Sequence, residues 1–190
     1  MDLPPNAPPQ ALQQQPENVP WGAGPIITGQ SAAFSWRIYG AQSLTAKRLS
    51  STMNLAETPE QAAQLLQAAY LAEGYLLTNV SYVQIGADHY FYVHEGSFNR
   101  VEAPQHYQRY FKPLAKSSPL TANSLRRRLS LADIHARRAG EQLTVDYKTE
   151  TAPTEPRYFF NYLAADVERL RSDGNFTVAF SNSGSRFLGR

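Results

Sequence analysis

Thr58, Pro59 and Gln61 open a helix in this chain, and Gly74 closes it. Thr58 offers an N-cap oxygen, Pro59 occupies the first helical position where a missing N–H is harmless, and Gln61 completes a capping box. Ala62, Leu65, Leu66 and Ala69 then line one face, and Gly74 stands where a left-handed residue ends the helix. A helix with one apolar face must bury it against another layer, so the flanking segments decide the fold.

Those segments read as strands and one further helix. Phe34, Trp36 and Ile38 alternate with polar neighbours up to Gly40, the period of a half-buried strand. A helix is expected from about 44 to 53, with Ala46, Leu49 and Met53 on one side. After Gly74 come strands at about 75–85 and 89–94, joined by a turn at Gly86 as a hairpin. The order strand, helix, helix, strand, strand closes a small core, giving an α+β unit with a three-stranded sheet covered by two helices.

The order recurs. A short strand at 98–102 and a helix at 106–114 precede a second helix near Thr121, where Leu120 and Leu125 take the positions of a hydrophobic staple. Strands follow at about 142–149 and 157–165, with Pro153 and Pro156 in the loop between them. The expected division is a Pro-rich linker at 1–30, units at 31–97 and 98–166, and a last segment at 167–190. In that segment Phe176, Val178 and Phe180 alternate into a turn whose returning strand is missing. The linker assignment rests on Pro4, Pro5, Pro8, Pro9, Pro16, Pro20 and Pro25 among Gln and Asn, too little apolar surface to offset ordering entropy.

Composition narrows the function. Lys and Arg number 18 against 16 Asp and Glu, a net charge of +2 that argues against a dedicated nucleic-acid binder. The absence of cysteine removes disulfides, thiolate metal sites and thiol nucleophiles. No apolar stretch reaches the roughly 18 residues of a membrane helix, and MDLPPNAPPQ shows no secretory signal. His89 and His94 lie an odd number apart on a strand and point to opposite faces, and with His106 and His135 they form no ligand set. SNSGSR lacks the G-x-S-x-G spacing and has no downstream histidine. Neither an enzyme nor a metal or other cofactor is expected. Arg126, Arg127, Arg128, Arg137 and Arg138 read as a solvated helix face, with anionic headgroups or an acidic client as the functional readings.

The chain resembles the POTRA domains of two-partner secretion transporters of the hemolysin-activator type, a resemblance covering about residues 31–190. It is carried by Gly40 after the first strand, Gly74–Tyr75, and Phe91, Val93, Glu95 and Gly96 in the fifth element. The run SPLTANSLRRRLSLADI is similar to the family's second-domain helix, with residues 135–140 replacing its short Pro-Gly turn. Asn182, Gly184, Ser185 and Gly189 match the start of the family's outer-membrane β-barrel. The resemblance implies two tandem POTRA units on the periplasmic face of the outer membrane, cut off where the barrel begins. Such an arm captures an unfolded secreted exoprotein and passes it to the barrel in cis, without nucleic acid, cofactor or covalent chemistry. The alternative is a scaffold that positions a barrel or recruits envelope partners.

Strand addition at a sheet edge suits such capture, because backbone groups bind with little sequence demand. Tyr75–Ile85 has neither charge nor proline to blunt its edge. Tyr70, Tyr75, Val80, Tyr82 and Gln84 are the candidate polypeptide-binding residues, and Glu95 is expected to bond the backbone beyond its strand.

Overall fold

The computed structural model describes residues 3–13, 24–117, 119–152 and 155–170. Residues 171–190, with the expected barrel-type strand and Asn182, Gly184, Ser185 and Gly189, lie outside them.

The first sheet has five strands. Its centre is the expected trio: β3 (Ser35–Tyr39), β5 (Thr78–Ile85) and β6 (Asp88–Glu95). β6 is in the middle, parallel to β3 and antiparallel to β5, with Ile38 opposite Phe91 and Val80 opposite Val93. Trp36, Ile38, Val80, Phe91 and Val93 are buried against α1 (Ala46–Met53) and α2 (Pro59–Ala72). Both helices start on a threonine cap: the Thr45 side chain accepts from the Arg48 N–H, and that of Thr58 from the Gln61 N–H. The Gln61 side chain reaches back to the Glu57 N–H at 2.8 Å, one residue earlier than a capping box requires.

The two outer strands come from the segment expected to be a linker. β1 (Gln10–Ala11) pairs in parallel with β5, and β2 (Ile27–Gln30) pairs antiparallel with β3. Composition misleads here because strand pairing uses backbone groups. A polar segment with little apolar surface still adds to a formed sheet.

The stretch expected as one strand at 75–85 is two. Leu77 has φ 57°, a strained value for a leucine, and it separates β4 (Tyr75–Leu76) from β5. β4 leaves the first sheet and pairs antiparallel with β8 (Leu120–Thr121). The Ala122 N–H donates to the Gly74 carbonyl at 2.8 Å, and the Leu120 N–H to that of Gly96 at 3.0 Å. Leu76 and Leu77 are therefore buried in the second core, with Leu120, Leu125 and Phe98. Burial of two leucines, at about 1.5–3 kcal/mol each, ties the units together.

The second unit repeats the order. β7 (Arg100–Glu102) precedes a short helix, α3 (Gln108–Phe111), which continues as a 3-10 turn through Lys116. α4 (Ala122–Arg138) follows, then β9 (Glu141–Ala152) and β10 (Glu155–Arg169). The expected break at 135–140 is instead the end of α4, closed by Gly140 at φ 69°. β10 is central, parallel to β7 and antiparallel to β9. Leu125, Leu129, Ala132 and Ala136 of α4 pack on Leu143, Leu163 and Ala165. The fold is α+β, two strand–helix–helix–strand–strand units.

Candidate functional site

Edges are where this fold exposes unpaired backbone. Among the described residues, β2 and β1 end the first sheet and β7 and β9 the second. The β5 edge, expected to be open, is in part taken by the chain itself. Gln10 lies opposite Ser81 and Ala11 opposite Tyr82, and the Leu12 N–H donates to the Tyr82 carbonyl at 2.8 Å. This corrects the expectation of an unguarded edge and shows that β5 accepts a strand. Pro8 and Pro9 favour an extended backbone, which brings the next residues alongside β5 already straightened.

The residues before β1 follow a track built by α2 and the Leu77 break. The Gln67 side-chain amide donates to the Ala7 carbonyl at 2.6 Å. The Leu77 N–H, turned out of its sheet by the positive φ, donates to Asn6 Oδ1 at 3.1 Å. Pro4 is buried, and Leu3 packs against the second core. Residues 3–12 thus form a strap from the second core across the junction to the β5 edge.

Glu95 ties α2 to the loop after β3. Its Oε1 accepts from the Gln42 and Ser43 N–H groups, each at 2.8 Å, and from the Tyr70 hydroxyl at 2.8 Å. Its Oε2 accepts from the Ser43 hydroxyl at 2.5 Å. The carboxylate bonds the loop between β3 and α1, a different backbone from its own turn. Burial, reinforced by the Glu95 carboxylate, raises the Tyr70 pKa. Tyr70 lies one turn after Gln67 on α2, so its anchoring fixes the register in which Gln67 meets the strap.

The candidate binding residues divide by burial. Tyr70 and Val80 are in the core, with no free surface to offer a partner. Tyr75 is half-buried with its ring 5.9 Å from that of Tyr70, and Tyr82 is half-buried and stacked on Phe91 at 6.1 Å. Gln84 is exposed beyond the paired part of the edge, its amide donating to the Gly86 carbonyl. Gln67, Leu77 and Asn6 are the polar contacts that sequence reasoning missed. A glutamine on an otherwise apolar helix face was the one available signal.

Of the motif positions, Gly74 and Gly96 serve the junction, and Phe91 and Val93 lie in the first core. Gly40 is buried after β3, and Gly74 at φ 85° allows the chain to leave α2 for β4. A Cβ on Gly96 would lie 2.4 Å from the Leu77 carbonyl oxygen, so only glycine lets the strand end pass the break. Asn161, buried beneath it, donates to the Ser97 carbonyl and to Asn99 Oδ1 and accepts from the Thr149 hydroxyl.

His89 packs edge-on against Phe34, and His94 stacks on Phe159 of the second unit, ring centres 6.2 Å apart. His106 approaches Glu141, which also accepts from the Tyr107 hydroxyl at 2.6 Å. No group of three metal-ligating side chains occurs among the described residues. Of the arginines, Arg137 pairs with Asp133 at 2.9 Å, one turn earlier on α4. No helix among the described residues is long and apolar enough to cross a membrane.

No family model matches the sequence, and no curated protein does. Among solved structures, CdiB from Escherichia coli is similar over 80% of this chain and 29% of its own, at 15% identity and a TM-score of 0.49. The N-terminal domain of Omp85 from the thermophilic cyanobacterium Thermosynechococcus elongatus is similar over 75% of this chain and 63% of its own, at 14% identity and a TM-score of 0.38. The chain thus spans less than two thirds of either structure.

Proposed function

We propose that this chain is the periplasmic receptor arm of an outer-membrane protein transporter, two tandem POTRA units divided near residue 97 that capture an unfolded secreted polypeptide by strand addition. The observation that carries the reading is the pairing of β1 with β5, an added parallel strand seated by main-chain bonds. An edge that takes its own chain in this way takes a client in the same way, since backbone pairing makes little demand on sequence. Beyond the two paired positions the edge runs on to Gln84 and Ile85, both exposed.

The junction supports a second reading, a scaffold that positions a barrel or recruits envelope partners. Leu76 and Leu77 in the second core and the β4–β8 ladder make a stiff spacer. A photo-crosslinking amino acid in place of Gln84, in the chain expressed in its own cells, separates the two. Adducts with one secreted polypeptide support capture. Adducts confined to barrel-assembly or cell-wall proteins refute capture and leave the scaffold.

A further inference from the structure

The outer side of α4 is not the side that a helix facing only water would show. Leu125, Leu129, Ala132 and Ala136 are buried in the second core. The helical period then sets residues 127, 131, 134 and 138 in one line on the opposite side. Those positions hold Arg127, Leu131, Ile134 and Arg138, all exposed. Leu131 keeps 43% of its surface in solvent and Ile134 48%, so two neighbouring apolar side chains stand outermost with an arginine at each end. Apolar residues scattered singly over a surface need no explanation, whereas an adjacent pair framed by cations marks a contact face.

Charge on this helix has one sign. The one carboxylate on α4, Asp133, is held by Arg137 at 2.9 Å. Arg126, Arg127, Arg128 and Arg138 make no ion pair with any described residue. A chain whose net charge is only +2 thus gathers four unpaired cations on a single element. The C-terminal end of α4 is also where the described chain leaves the second unit. The Leu170 N–H donates to the Gly140 carbonyl at 2.9 Å, two residues past Arg138, and Leu170 is 58% exposed.

We propose that the outer face of α4 docks on a bilayer surface carrying anionic phospholipid. Arg127 and Arg138 reach the headgroup phosphates, and Leu131 and Ile134 insert between them. An acidic polypeptide would answer the charge and leave the apolar pair in water. A bilayer interface offers phosphates with hydrocarbon directly behind them, and long arginine side chains reach the one while the shorter apolar ones meet the other. Docking goes beyond the capture reading and rests on it only for the presence of a membrane. The exit of the chain at Leu170 suits it, since residues 182–189 carry the barrel-type match and follow from that end.

The test is flotation of the purified full chain with vesicles of phosphatidylglycerol and phosphatidylcholine, or of phosphatidylcholine alone. Wild type is expected to float with the anionic vesicles, less so in 0.5 M salt, and not with the neutral ones. At about fivefold per arginine, Arg127→Gln/Arg138→Gln should bind about 25-fold more weakly. Lys47→Gln/Lys148→Gln removes the same charge from exposed positions on α1 and β9 and should bind like wild type. The chain has no cysteine, so Ile134→Cys and Lys47→Cys each take one environment-sensitive fluorophore. Anionic vesicles should shift the emission at position 134 to the blue and leave that at position 47 unchanged. The proposal is overturned by absence of flotation, by equal losses in the arginine and lysine variants, or by flotation with no shift at position 134. Binding to polyglutamate without binding to vesicles also overturns it and gives the face to an acidic polypeptide. Vesicle docking as expected while crosslinking at Gln84 finds no secreted polypeptide would keep the docking face and refute capture.

Discussion

Tyr70→Phe isolates the anchor that registers α2 against the first sheet. The substitution deletes one hydroxyl, which is buried and donates to Glu95 Oε1 at 2.8 Å, and leaves the ring in place. Glu95 keeps three other donors, the Gln42 and Ser43 N–H groups and the Ser43 hydroxyl, so its charge is not stranded. The expected loss is thus the low end for a hydrogen bond to a charged group, about 1.5 kcal/mol. Glu95→Gln retains one uncharged acceptor oxygen for the three donors at Oε1 and presents an amide to the Ser43 hydroxyl at the other position, an expected loss of about 2–3 kcal/mol. Because one change removes this bond and the other removes its charge, the double variant should lose about 1 kcal/mol less than the sum. Urea denaturation of the four proteins gives the cycle. Additivity within about 0.3–0.5 kcal/mol would show that the two groups do not act together, and the reasoning fails. The cycle has an alkaline companion. Tyr70 has its folded pKa raised above the ordinary 10.0, so its stabilisation is complete below that pH and is lost as pH climbs beyond it. Tyr70→Phe should remove that share of the alkaline decline.

Other outcomes follow from the junction and the second core. Burial lowers the His94 pKa from 6.5, so its share of stability is present above that pH and lost as pH falls below it. His94→Phe should keep the stack on Phe159 and flatten the acid limb of a denaturation-against-pH curve. Gly96→Ala places a methyl 2.4 Å from the Leu77 carbonyl oxygen and should destabilise by about 1–3 kcal/mol in urea, since backbone must move. Burial and the bond to Glu141 push the Tyr107 phenol up to about 12. Ultraviolet titration of tyrosinate should show a group ionising at about 12 that Tyr107→Phe removes, with stability from this source falling between 10.0 and about 12.

How far the sequence could be read depended on whether structure was local. Thr58, Pro59 and Gly74 act within a few residues of themselves, and the helix they bound is present. The Leu120 and Leu125 staple reached the core for the same reason, since both ends lie on one chain segment. The break at Leu77 was illegible because YLLTN has no turn chemistry. Its positive φ is imposed by β4 pairing with β8, more than 40 residues away, and by Gly96 closing over it. The two strands from the Pro-rich segment were missed because composition reports what a segment can bury and says nothing of a free edge that recruits it. At the site, β5 was legible as a strand, but it was expected to be an open edge where β1 in fact pairs, and tyrosines were favoured as binding groups. Tyr70 proved to be an internal anchor, and the polar contacts belong to Gln67 and a leucine's backbone, which side-chain reasoning does not reach.

The seat of residue 12 on β5 can be measured across its own hydrogen bond. NMR coupling between the Leu12 nitrogen and the Tyr82 carbonyl carbon exists only if the two are directly bonded, as the 2.8 Å separation requires. The expected result is a resolved coupling together with slowed hydrogen exchange at Leu12. Absence of the coupling, with Leu12 exchanging as fast as a free peptide, would mean that β5 accepts no strand from this chain, and strand addition there would lose its foundation.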